Sequence, residues 1–560
     1  MADRQNSEAP NRGLERAAEN NALRTTPQLG LVGDRPDENL SIIKELNSKA
    51  ANAMPTEFAN GSLTIVDSKP VSTGEHGNQD VASAERRQFA PRAAVRTAGD
   101  TTVEQQRETG KIANREFSIA KDANGNPVRF SDGSGTWKAM KDGETFVNEA
   151  DKDQPRFMRG IPTFDQHGNF KFKDTDFGTT RTQFKDGGSR TEFESANGER
   201  IALERNSKGM PTRIEDKSGA WNSTDGKVWR NDKGEMRSGV PSIASHGEYS
   251  FKDRSGRITE TVESKQLSEA RNLQREISQR FGVEITAPGV KIEQGTTNQP
   301  STRELKALED TLDRSKQMDM LSGKEGDKDR KPLKISFLGA DAKGTQGEGF
   351  GVYGNDELEL FQNSRINPEG WLGLKGVGLH ELVHHEQSKM TSDDWRGKNP
   401  GPEIEGLREA FGWTYHQKFG PVMLDKSGGM WSPTSRGNHD HEGGPSTSWI
   451  WVDGTRLQKG EKHTINGAEM AERAKVRQAS EYNSTPYESH AEAASLLRHV
   501  PEELAKRAPE VYKAVRDWDQ TKINKAFGEG TMIRGVNGKI VQDTPENRRA
   551  RREMEDRYGI

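Results

Sequence analysis

Two stretches of this chain are written in the same pattern, and that repetition restricts the middle of the molecule more than any other feature. Gly125-Asn-Pro127-Val-Arg-Phe-Ser-Asp132-Gly-Ser-Gly135-Thr-Trp137 returns as Gly209-Met-Pro211-Thr-Arg-Ile-Glu-Asp216-Lys-Ser-Gly219-Ala-Trp221. Asp142-Gly143 answers Asp225-Gly226. Gly160-Ile-Pro162, His167-Gly168 and Phe172-Lys-Asp174 answer Gly239-Val-Pro241, His246-Gly247 and Phe251-Lys-Asp253. The offset falls from 84 to 83 to 79, so the length differences lie between matched blocks. Alternating runs separated by Asp-Gly and Asn-Gly signal hairpins, because those dipeptides supply the positive φ that a tight turn needs. Two copies of one β-meander with different loops produce such a pattern. Arg190 to Glu194 and Arg200 to Glu204, flanking Asn197-Gly198, read as one hairpin. His167 and His246, each beside Gly, read as turn residues rather than ligands.

The rest of the chain divides by texture. Only 30% of its 560 residues are hydrophobic, and the deficit is concentrated at the start. Residues 1–110 hold two aromatics, Phe58 and Phe89, too little apolar surface to offset the entropy of ordering, so disorder is expected. Within them Leu40, Ile43, Leu46 and Ala50 follow a helical spacing over Asn39 to Ala53. Residues 115–265 form the all-β repeat region. Beyond 266, Leu273, Ile277 and Phe281 lie at helical spacing, and Ser301-Thr-Arg-Glu304 is a capping box opening a helix to about Met318. Leu333 to Leu338 alternates as a strand does, and Glu357 to Phe361 reads as a second, more exposed strand. A helix is expected from about Trp371, and Pro509 opens the last one. Helices around a few short strands predict an α+β domain over 266–528, followed by a charged tail over 529–560 whose end is a solvated helix or disordered.

Absences narrow the function. Without cysteine the chain has no disulfide, no Cys-ligated zinc or iron-sulfur cluster and no cysteine nucleophile. Any metal must be held by His, Asp or Glu. A net charge of −4 argues against a nucleic-acid binder. No apolar run approaches about 18 residues, which argues against a membrane span. The opening MADRQNSEAPNRGLERA lacks the apolar core of a secretory signal, so the default expectation is a cytoplasmic protein, with export only by a route without such a signal.

Val377-Gly-Leu-His380-Glu381-Leu-Val-His384-His385-Glu386 carries the chemistry. Two His four residues apart share one helix face, which suits two nitrogens approaching one zinc, while the Glu beside the first can reach a water on the metal. Uncharged Leu379, Leu382 and Val383 suit a buried helix. His385 and Glu386 face elsewhere and read as structural. Met390 and Gln387 exclude the longer motif with a third His, so the third ligand is expected to be a carboxylate. Glu403, Glu405 and Glu409 form one set of candidates. Glu488 and Glu492, four apart on a helix opened by Pro486, form another. Thr485-Pro-Tyr-Glu488 also fits a capping box, in which Glu488 would bond to backbone. His439-Asp440-His441-Glu442, in a Gly-rich insertion from Lys426 to Gly460, reads as a solvated loop.

With these residues the chain resembles the family of zinc peptidase domains that includes anthrax lethal factor and the Pro-Pro endopeptidases. The likeness rests on His380-Glu381-Leu-Val-His384, on Tyr482, on Glu488-Ser-His-Ala-Glu492-Ala with Leu496-Leu497 beyond it, and on Ala508-Pro509-Glu-Val-Tyr512. It covers about 266–528 and implies a zincin-like α+β fold of the gluzincin type. By position it implies Zn2+ held by His380, His384 and Glu488, with Glu381 as general base. Tyr482 would steady the oxyanion, and Glu492 would orient a ligand.

The expected activity is a zinc-dependent endopeptidase acting on a protein or peptide through a zinc-activated water, with the strand at Glu357 to Phe361 pairing with extended substrate. A protein partner for the β-repeats is a further expectation. Two alternatives are a non-catalytic repeat protein with an inert peptidase-like domain and a secreted, toxin-like effector.

Overall fold

The computed structural model describes residues 106–149, 156–287, 299–315, 332–338, 351–354, 357–370, 373–389, 402–434, 448–452, 463–479 and 485–560. Residues 1–105, with the helix expected near Asn39, lie outside them.

Strands begin earlier than the change of texture near 115 suggests. β1 (Gln106–Ile112) pairs along its length with β2 (Arg115–Lys121) through Ala113 and Asn114, both at positive φ. With Ile112 as its only large apolar residue, β1 reads as polar chain in isolation; the ladder to β2 holds it. From there an antiparallel meander runs in chain order to β14 (Met236–Ser238) as a fourteen-stranded sheet. A three-stranded sheet follows, built from β15 (Val240–Ile243), β16 (Glu248–Lys252) and β17 (Ile258–Glu263).

The two repeat copies adopt the same local geometry. Trp137 lies across from Phe130 and donates its indole N–H to Asp132 at 3.1 Å; Trp221 lies across from Ile214 and donates to Asp216 at 3.3 Å. Asp142 and Asp225 each accept two backbone N–H groups, from Glu144 and Thr145 in one copy and from Lys227 and Val228 in the other. At Gly160 and Gly239 a Cβ would stand 2.2 Å from the carbonyl oxygens of Lys173 and Lys252, so neither copy tolerates a side chain there. The expected hairpin at Asn197-Gly198 is present, with Phe193 opposite Ile201. The backbone N–H of His167 donates to Asp165 within a turn closed by Gly168, as its sequence context suggests.

The second half is a mixed sheet with helices. Helix α1 (Lys265–Phe281) is capped by Ser264, and α2 (Thr302–Ser315) by the reciprocal Ser301 and Glu304 hydrogen bonds of a capping box. β18 (Glu284–Thr286), β19 (Lys334–Phe337), β20 (Gly351–Gly354) and β21 (Glu357–Leu360) form a four-stranded sheet in the order β18-β19-β21-β20, antiparallel only at β20. This corrects the expectation of an exposed strand at Glu357 to Phe361. β21 lies between two neighbours with Leu358 and Leu360 fully buried, and the edges are β18 and β20. After α3 (Gln362–Ile366) comes α4 (Leu374–Lys389), buried on almost every side. Its Gly378 allows close approach to α2, since a Cβ there would stand 3.1 Å from Thr311.

After α5 (Pro402–Ala410), the described residues form an antiparallel meander that takes in part of the Gly-rich insertion. Its strands are β22 (Trp413–His416), β23 (Gly420–Leu424), β24 (Met430–Thr434), β25 (Ser448–Trp451) and β26 (Thr464–Asn466). It contains a third version of the repeat hairpin. In Asp425-Lys-Ser427-Gly-Gly-Met-Trp431 the carboxylate accepts from Ser427 Oγ at 2.6 Å and from the Trp431 indole at 2.8 Å. Trp413, Trp431 and Trp449 fix this sheet to the core shared with the later helices. Those are α6 (Gly467–Arg473), α7 (Pro486–His499), α8 (Pro501–Arg507) and α9 (Pro509–Phe527). Residues 529–560, set apart by charge, form a hairpin of β27 (Met532–Arg534) and β28 (Ile540–Gln542) and then α10 (Pro545–Arg557), whose Met554 enters the same core.

Buried charge joins the repeat region to the α+β part. Arg159, on the repeat strand Phe157–Phe164, pairs with Asp176 at 2.6 Å and donates to the backbone carbonyl of Arg365. Arg365 in turn grips Glu304 at 2.8 and 3.1 Å. Among the described residues, no helix is long and apolar enough to cross a membrane.

Candidate metal centre

His380 and His384 stand one turn apart on α4, and both rings are buried. Their Nε2 atoms face each other at 2.9 Å. Oε2 of Glu488, in the first turn of α7, lies 3.3 Å from each of them. Thr485 caps α7 by accepting from the Glu488 N–H at 3.1 Å, so the glutamate takes part in the cap through its backbone while its carboxylate faces the two imidazoles. The capping-box reading of that side chain therefore gives way to the histidine pair. Glu405 and Glu409, the rival third ligands, are exposed on α5. The side chain of Glu403, the His439 to Glu442 segment and Tyr482 lie outside the described residues.

His380 turns its other nitrogen, Nδ1, to Glu492 at 3.0 Å. His384 turns its Nδ1 to Oε1 of Gln387 at 2.7 Å, and Nε2 of Gln387 lies 2.9 Å from both the Tyr487 carbonyl and Nδ1 of His490. The Tyr487 ring stacks on His384, centroids 4.5 Å apart and planes inclined by 13°. Sequence reasoning missed Gln387, Tyr487 and His490 as part of this site. The adjacency of Tyr487 and His490 to Glu488 was the available hint.

The electrostatics favour positive charge among these groups. Burial opposes charge on His380, yet the close carboxylates of Glu488 and Glu492 and the nearby charge of Glu381 hold its proton affinity well above the usual imidazole range. Burial likewise opposes ionisation of Glu488, but the charge of His384 and the closeness of both rings, each 3.3 Å from Oε2, hold its carboxyl well below the usual range. Glu381 is buried beside His380 on the same helix.

These three atoms fit a metal ion. Donors at about 2.0 to 2.2 Å from one tetrahedral ion would stand about 3.3 to 3.5 Å apart. Both carboxylate edges of the triangle meet that spacing, and the imidazole edge is shorter. Oε2 of Glu488 is buried and has no well-aligned hydrogen-bond donor, as an atom reserved for a cation would be. Among the described residues this is the group of His and acidic side chains close enough to share a metal. Two imidazoles and a carboxylate suit zinc, and other divalent transition ions accept the same donors. No protein-family model matches the chain, and no curated protein or solved structure is detectably similar to it.

Proposed function

We propose that the chain is a zinc-dependent endopeptidase whose residues 266–528 form a zincin-like catalytic domain of the gluzincin type. The observation that carries this reading is the convergence of His380 Nε2, His384 Nε2 and Glu488 Oε2, with a glutamate following the first histidine. A zinc ion bound there would supply a Lewis acid that polarises a peptide carbonyl and lowers the pKa of water toward about 7. Glu381 takes the proton of the attacking water and returns it to the leaving amine. Glu492 holds the His380 ring through Nδ1. Tyr482 donates to the developing oxyanion, a role that rests on the resemblance to the lethal-factor family. The edge strand β20 offers its outer backbone groups to an extended protein or peptide substrate.

The test is hydrolysis of an unfolded protein substrate by the full chain loaded with zinc. Glu381→Gln is expected to lower kcat by about 100-fold or more while zinc content stays at the wild-type level. Cleavage at the wild-type rate by that variant would contradict the mechanism.

A further inference from the structure

We propose that Gln387 is the positioning residue that orients His384 toward the metal, and that the Tyr487 carbonyl and His490 fix the direction of its amide. This rests on the reading of His380, His384 and Glu488 as a metal site.

A backbone carbonyl can only accept, so the Gln387 atom 2.9 Å from the Tyr487 carbonyl is the amide nitrogen. The same nitrogen lies 2.9 Å from Nδ1 of His490, which makes that ring nitrogen an acceptor. With its nitrogen turned to α7, Gln387 presents Oε1 to His384 Nδ1 at 2.7 Å. That oxygen too can only accept, so Nδ1 of His384 carries the ring proton. Nε2 is then left with its lone pair directed at the point where His380 and Glu488 converge. Burial enforces the choice: Gln387 is 1% exposed and His490 0%, so solvent does not readily replace either partner.

An amide serves here where a carboxylate would not. A carboxylate has no N–H for the Tyr487 carbonyl, whereas His380 needs only an acceptor and has Glu492. Helix α7 thus supplies one ligand, Glu488, and the orientation of both imidazoles, directly through Glu492 and indirectly through Tyr487, His490 and Gln387. Docking of α7 against α4 and assembly of the metal site become one event.

The test uses the full chain with 15N-labelled histidine. Ring-nitrogen shifts of His384 are read without metal, at a pH where the ring is neutral, and zinc affinity is measured by chelator competition. The wild type is expected to carry the proton on Nδ1. Gln387→Met, similar in size but unable to accept this bond, is expected to lose that preference and bind zinc about 10- to 100-fold more weakly. Gln387→Glu keeps the acceptor for His384 Nδ1 but not the donor to the Tyr487 carbonyl, so it should recover the Nδ1–H form alone. A wild-type His384 protonated on Nε2 overturns the proposal even if the variants fail to fold, as does a Gln387→Met chain with wild-type tautomer and affinity. A wild-type chain that takes up no zinc overturns the metal reading instead, and the tautomer, read without metal, tells the two failures apart.

Discussion

Glu386 and Arg498, 112 positions apart in the chain, meet at 3.1 Å with both side chains buried. The pair ties the helix bearing the two histidines to the helix bearing Glu488. It extends through Asp519 to Arg534, which grips both oxygens of that aspartate at 2.9 and 3.0 Å. Arg498→Met leaves the buried Glu386 without its guanidinium and removes one of the two held by Asp519. Removing one partner of a buried pair typically costs about 3 to 5 kcal/mol, and urea denaturation of the full chain should register a loss of that size. A loss below about 1 kcal/mol would show that this network does not hold the two helices together.

The repeat region is predicted to respond to pH through Asp174. Burial and the charge of Asp176 push its carboxyl up to about 7, from an ordinary 3.8. A group that binds its proton more tightly in the folded state adds stability that is complete below about pH 4 and is lost as pH rises to about 7. Asn at this position can still accept from the backbone N–H groups of Asp176 and Phe177, which Asp174 now holds at 2.9 and 2.8 Å. Asp174→Asn should therefore remove this slope and exceed the wild type in stability at pH 8, by up to about 4 kcal/mol. Urea midpoints at pH 5 and pH 8 decide it; an unchanged pH dependence would contradict the assignment.

Gly160 and Gly239 make the same demand in the two repeat copies. A Cβ at either meets a backbone carbonyl at 2.2 Å and the ring of Phe172 or Phe251. Each Gly→Ala substitution should cost about 1 to 3 kcal/mol, as overpacking usually does, with similar losses in the two copies. Thermal unfolding measures both, and a neutral Gly160→Ala would mean the copies are not built alike.

What the sequence made legible is local. The capping box at Ser301 and Glu304, the helix opened by Pro486, the Asn197-Gly198 hairpin and the four-residue spacing of His380 and His384 are each set by neighbours in the chain, and each appears as read. What escaped is set by contacts between distant segments. Glu357 to Leu360 alternates correctly between faces, but alternation carries no information on which strand lies at an edge. Gln387 has a role only because Tyr487 and His490 meet it from another helix. The third repeat hairpin was visible as Asp425-Lys-Ser-Gly, yet one additional residue before Trp431 removed it from register with the other two.

The metal content of the purified full chain decides whether His380, His384 and Glu488 hold an ion. After zinc loading and removal of excess, the wild type should hold one zinc per chain, Glu381→Gln should hold the same, and His380→Ala and Glu488→Ala should hold none. A wild-type chain without zinc, or a Glu488→Ala chain that keeps it as tightly as the wild type, would contradict the account.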